Sequence, residues 1–240
     1  MPLYILLTGF TVWMAVEAVR RGDAGRWLWI ILVFGPIGAG VYFFSEYLGR
    51  GPLSRITFRL RKVTKADLQA AEVEVRRLDN APSWTDYASL LRASKDYERA
   101  AEAARRAVER DPESLDAQYE LGLALLMAQR FSEAREALAL VVERDRHFDS
   151  DDALFALAKS QVGARDDAAA RACLEELAER RARPEILYEL AGTQARLRDR
   201  EAALRSLQRI VDEAVLVPAY LQRNVRPWVK RARWAMRKLR

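Results

Sequence analysis

The 240-residue chain has one cysteine, Cys173, and one histidine, His147. A single cysteine makes no internal disulfide. A lone cysteine and a lone histidine, set apart by a helix and part of a turn, leave no nucleophile beside its base and no metal-ligand cluster. There is no glycine-rich phosphate loop either. Carboxylate pairs such as Asp151 with Asp152 fall where a turn between helices is expected, and there the ordinary role is a helix N-cap. These absences point away from an enzyme, and the sequence calls for no cofactor, no metal and no small-molecule substrate. Cys173, between Ala172 and Leu174, reads as a small core residue in a protein that needs no disulfide staple.

Charge of one sign is missing locally rather than overall. Residues 1–65 carry nine Lys or Arg against three acids, residues 66–222 carry 23 against 31, and Arg223 to Arg240 hold eight basic residues and no acid. An acidic middle between basic ends does not make a nucleic-acid protein, whatever the pI of 9.6. No nucleic-acid partner is expected.

What the chain does have is small residues at helical spacing. Trp84, Tyr87, Ala88 and Leu91 mark one helix, Tyr97, Ala100, Ala104 and Ala107 a second, and Pro112 closes the pair. Ala88 facing Ala100 and Ala107 lets two backbones approach closely, while Trp84 and Tyr97 fill the gaps above and below. The pattern returns with Leu121, Gly122, Leu125, Phe131, Ala134, Leu138 and Val141, then with Phe155, Ala158, Ala170, Leu174 and Leu177, then with Tyr188, Ala191, Ala203, Leu207 and Ile210. One such pair cannot bury its own apolar face, so stacking of several is required.

These residues resemble the tetratricopeptide repeat, a helix-turn-helix unit of about 34 residues. Trp84, Ala88, Leu91, Ala100, Ala107 and Pro112 fall on its signature positions, and Arg146 stands where the second unit would carry proline. The resemblance covers residues 81–213 and weakens toward the C-terminal end. It implies an α-solenoid whose inner groove is lined by the first helix of each pair. Carried over, the lining is Thr85, Ser89 and Arg92; then Tyr119, Leu123, Leu126 and Met127; then Phe155, Lys159 and Val162; then Tyr188 and Arg196. The Lys and Asn set with which some members clamp a peptide carboxylate is missing. The aromatic row Tyr119, Phe155 and Tyr188 beside Leu123 and Met127 suits an apolar strand or helix of a partner protein. The other reading, of equal weight for Phe155, is that neighbouring helices bury these rings as core.

Leu3–Val19 and Trp27–Leu48 are apolar runs. A bilayer core of about 30 Å takes about 20 apolar residues, and Trp27, Trp29, Tyr42 and Tyr47 lie toward the segment ends, where aromatic rings prefer the interface. A transmembrane hairpin is favoured over three alternatives. A signal peptide lacks its basic n-region and cleavage pattern. A buried soluble pair would draw on the interruptions at Gly35, Pro36, Gly38 and Gly40, and a re-entrant first helix on Glu17. Arg26–Phe44 resembles the two-helix membrane segment at the N-terminus of bacterial cardiolipin synthases, in its paired tryptophans and in Pro36, Gly38 and Tyr42. That family's catalysis belongs to H-x-K motifs, whereas His147 is followed by Phe148 and Asp149, so the resemblance implies the anchor without the chemistry. Arg50, Arg55, Arg59, Arg61, Lys62 and Lys65 after the second run outweigh Arg20, Arg21 and Arg26 in the loop. Positive flanks stay in the cytoplasm, which puts the repeats on the cytoplasmic side of a bacterial-type inner membrane.

After a basic connector, Thr64 with Asp67 forms a capping box that opens a lead helix over residues 65–79. Ile56, Phe58 and Leu60 alternating with arginines read equally as a membrane-hugging edge or a solvated linker. At the other end, Val225, Trp228, Val229, Ala232, Ala235, Met236 and Leu239 form one stripe of a basic amphipathic helix. It reads first as the cap a repeat stack requires, and also as a surface for membrane lipids, through Trp228, Lys230, Arg231, Arg233, Trp234 and Arg237, or for the acidic repeat block of a second copy.

The expected architecture is all-α: a transmembrane helical hairpin over 1–49, a linker and lead helix over 50–80, four repeat-like hairpins over 81–222 and the basic helix over 223–240. The expected function is a membrane-anchored scaffold or adaptor for a protein or peptide partner. The alternative is a membrane-lipid-linked accessory or regulator acting through anchor and tail.

Overall fold

A computed structural model describes Thr11 and residues 63–218 and 222–239. The expected membrane hairpin and the connector up to residue 62 lie outside the described residues. The chain divides between Lys62 and Val63, so the lead helix falls in the same unit as the repeats.

Ten helices follow one another among the described residues: α1 (Lys65–Leu78), α2 (Ala81–Ala93), α3 (Tyr97–Arg110), α4 (Leu115–Met127), α5 (Phe131–Arg144), α6 (Asp152–Gly163), α7 (Asp167–Arg180), α8 (Pro184–Arg196), α9 (Arg200–Leu216) and α10 (Gln222–Leu239). Side chains start many of them by taking otherwise unpaired N–H groups of the first turn. Thr64 and Asp67 form the expected capping box on α1. Asn80 accepts from Ser83 N at 3.0 Å on α2, with Pro82 in the first turn. Ser114, Asp166 and Asp199 do the same for α4, α7 and α9.

Each helical pair turns in the same way. Lys95, Gln129, Arg165 and Arg198 adopt left-handed backbone, with φ from 60° to 71°. The next residue's N–H then reaches back five residues, as in Asp96 N to Leu91 O at 3.0 Å and Asp199 N to Gln194 O at 2.9 Å. This is a Schellman stop made without glycine.

The small residues lie where two helices meet. Ala88, Ala100, Ala134, Ala158, Ala170 and Ala203 are all fully buried. Leu91, Leu125, Leu138, Leu174, Leu207 and Ile210 fill the space between, and the core runs continuously from Val75 on α1 to Ala232 on α10. Consecutive helices pack in every pair, and the first helices α2, α4, α6 and α8 also touch one another in sequence, followed by α10 against α8. That extra contact makes α2, α4, α6 and α8 the inner row of the solenoid. Among the described residues no helix is long and apolar enough to cross a membrane.

Two glycines separate packing from propensity. A Cβ on Gly122 would sit 2.5 Å from Leu138 Cγ, whereas on Gly192 it would meet only Arg196 Nη1 at 3.6 Å. Gly192→Ala is expected to raise the free energy of unfolding by about 0.5–1 kcal/mol through helix propensity. Gly122→Ala is expected to lower it by about 1–3 kcal/mol, because buried Leu138 must move. Urea melts of the two variants check the opposite signs.

Candidate functional site: the inner face of the repeats

The inner face is built from residues that the first helices cannot bury. In its N-terminal half the dominant feature is ionic. Arg92, near the end of α2, donates to Glu120 on α4 through Nε at 2.5 Å and Nη2 at 3.0 Å. Glu120 is buried, at 6% exposure, and the bidentate pair ties one repeat to the next. Burial opposes the Arg92 charge, but the bonds to Glu120 outweigh it and hold the guanidinium above its ordinary range. Asp86, exposed on α2, lies within electrostatic reach of Glu120. Desolvation first, and then the negative charges of Glu74, Glu120 and Asp116, push its carboxyl above the usual 3.8. Negative charge from α1 and α4 thus gathers around α2.

The aromatic row is half-buried at each of its three positions. The Tyr119 ring meets Phe148 edge-on at 5.2 Å, just ahead of α6. Phe155 lies under the guanidinium of Arg183, the residue that opens α8, at 5.4 Å, with Lys159 Nζ at 5.9 Å. Tyr188 packs against Trp228 of α10 at 5.8 Å. Each ring is shared between the groove and the joint to the next unit, and burial pushes the Tyr119 hydroxyl well above its usual pKa.

The other expected groove residues separate by exposure. Leu126 is buried, so it belongs to the core rather than the lining. Its side chain is on the α4 flank that neighbouring helices cover. Leu123 is half-buried, while Met127, Lys159 and Arg196 are exposed. Arg196 is held by Asp167 at 2.8 Å and Thr193 Oγ1 at 3.0 Å. Lys159 and Met127 thus reach the groove without an anchoring polar contact of comparable strength.

The basic helix α10 sorts its expected surface residues in two. Trp228 faces inward against Tyr188, with Ala232 fully buried on the same stripe, so this indole serves the cap rather than the outer surface. Lys230, Arg231, Arg233, Trp234 and Arg237 are exposed.

Asp151 departs from the expected capping role. It stands before α6 with φ 70° and makes no side-chain cap bond. Its carboxylate instead takes His147 Nδ1 at 2.7 Å and Arg180 Nη1 at 3.4 Å, while Arg146 pairs with Glu176 beside it. The turn is strained through Asp149, Ser150 and Asp151, all left-handed, and the ionic cluster holds it in place. Cys173 is half-buried against the core, and burial raises its thiol. Among the described residues no group of three or more His, Cys, Asp or Glu is placed to hold a metal ion.

Comparison with known proteins agrees with this geometry. Residues 86–147 and 152–182 match two sequence families, each described as tetratricopeptide repeat. MamA residues 41-end from Desulfovibrio magneticus RS-1 superposes with a TM-score of 0.58 at 16% identity, over 62% of this chain and 84% of that one. YrrB, described as a TPR protein with an unusual peptide-binding site, gives 0.53 at 16% identity, over 72% of this chain and 86% of that one. No curated protein matches the sequence. Residues 86–147 and 152–182 thus match tetratricopeptide repeats, within a stack of helical pairs whose fold is that of these solved structures.

Arg92→Ala is expected to lower stability by about 1–3 kcal/mol by stranding a buried carboxylate. Arg92→Met combined with Glu120→Leu should lose much less, since no charge is left without a partner. Chemical denaturation of the single and double variants distinguishes the two. For Asp86 the folded state holds the proton more tightly than the unfolded one, so stability is lost as pH rises through its raised pKa. Asp86→Asn should therefore raise the melting temperature at neutral pH, with the gain fading as the pH is lowered toward 3.8.

Proposed function

We propose that this protein is a membrane-tethered adaptor, holding a segment of a protein partner against the inner face of its repeats at the cytoplasmic side of a bacterial-type inner membrane. The observation that carries the binding half is the continuous row of first helices, α2, α4, α6 and α8. It leaves Met127, Lys159 and Arg196 exposed beside the accessible edges of Tyr119, Phe155 and Tyr188. A long concave surface with apolar edges and a few charged tips takes an extended strand or a helix of a partner. The solenoid likeness to a protein described as having a peptide-binding site supports the same reading. The tether half is supported by the apolar runs Leu3–Val19 and Trp27–Leu48 and by the basic residues that follow them.

A photo-crosslinking residue placed at Met127, Lys159 or Gly192 in cells should capture one and the same protein. Placed at Leu140 or Glu102, on second helices, it should not. Equal capture from both sets, or none from the groove, overturns the adaptor reading. For the tether, the full chain should resist carbonate extraction from membranes, and removal of residues 1–49 should release it. A full chain that carbonate extracts completely overturns the anchor.

A further inference from the structure

The outer face of α10 belongs to none of the contacts that hold the solenoid together. Ala232 is fully buried, which fixes the rotation of the helix. At 3.6 residues per turn, the side opposite Ala232 carries Arg223, Lys230 and Trp234 along its midline, flanked by Arg226, Arg233 and Arg237. All six are exposed, and Trp234 retains 55% of its surface.

This face differs from the rest of the protein in its charge chemistry. Most arginines of α1–α9 have a carboxylate partner, as Arg92, Arg105, Arg144 and Arg209 do. Among the described residues, no cation of α10 has one. The helix holds no acid at all, so nothing within it can neutralise the field. Like charges gathered on one face repel, and a cap for the solenoid needs only the inner stripe. With Arg231 and Lys238 the helix carries seven cations and no acid to balance them.

We infer that this face lies on an anionic bilayer surface. The argument is one of complementary chemistry. Guanidinium and ammonium groups take lipid phosphates, while an indole at the middle of the same face prefers the boundary between headgroups and acyl chains. Lys238 Nζ sits 3.9 Å from the Trp234 ring centroid, and its aliphatic stem adds apolar area beside the indole. At the end of α9, Val215 and Leu216 are also exposed, at 78% and 83%. A purely acidic protein patch or a nucleic-acid backbone would have use for the cations but not for this exposed apolar surface. The inference extends the membrane reading above and is built on different residues from the tether.

The test uses the full chain in nanodiscs of phosphatidylcholine alone or with added phosphatidylglycerol. The contribution of Trp234 to the fluorescence is isolated by subtracting the spectrum of Trp234→Phe, and acrylamide is the quencher. Trp234 should be open to acrylamide in neutral discs and shielded in anionic ones, with the shielding lost at high salt. Lys230→Gln, Arg233→Gln and Arg237→Gln together should abolish it, each removed charge weakening surface association about fivefold, with the circular dichroism spectrum unchanged. Equal quenching in the two lipids overturns the inference. So does shielding in neutral discs that grows with protein concentration, which would mark a second copy or an acidic partner. A chain that enters neither disc shows that the tether has failed. In that event flotation with preformed vesicles decides: flotation with phosphatidylglycerol vesicles alone upholds the surface site, and flotation with neither kind sinks it.

Discussion

Helix backbones in this protein lie close where small residues are buried between them. Ala88 and Ala100 are fully buried, Gly122 is pressed against Leu138, and Gly163 against the Phe131 ring. Where the approach is this tight, a single methylene has nowhere to go. The hairpin geometry follows from that contact, and the stacking of hairpins follows from the hairpin, because a pair packed on its small residues still shows an apolar side to the next. Leu91, Leu125, Leu174 and Ile210 close these successive joints into one core.

The inner face inherits its character from the joints. Arg92 and Glu120 bond across first helices because both sit on the strip where one unit meets the next, and the low local polarity that makes Glu120 expensive to strand also makes the bidentate pair specific. The aromatic rings at Tyr119, Phe155 and Tyr188 each lean on the unit that follows. Binding surface and structural seam are therefore made of the same side chains. A ligand in the groove would contact residues that already set the spacing between repeats, so affinity for a partner and curvature of the solenoid are physically linked. Met127, Lys159 and Arg196 are the tips least committed to the seam.

At the C-terminal end the same logic closes the stack. The last repeat leaves Tyr188 and the α9 flank uncovered, and α10 supplies Trp228 and Ala232 to cover them. Its other side is left to meet something outside the fold. In this helix the inner stripe answers to packing and the outer face to the surroundings, and the residue that separates the two roles is the tryptophan pair: Trp228 turns in, Trp234 turns out.

The periodic small residues, the capping box at Thr64 and the change from acidic to basic composition were all readable in one dimension, because each is a local pattern with a fixed spacing. Helix identity, pairing and the order of units follow from them. Other features were decided only by the fold. Glycine is the usual mark of a helix stop, so the left-handed turns at Lys95, Gln129, Arg165 and Arg198 carry no such signal; they are imposed by the two helices they join. Asp151 left its expected cap for His147 and Arg180 because a neighbouring helix offered a cation. Leu126 withdrew into the core and Glu120 gained its partner because rotation of α4 against α2 and α6 is settled by all the joints together. Spacing along a chain dictates which residues share a helix face; which face meets which neighbour depends on contacts between residues about thirty positions apart, and those exist only once the units have stacked.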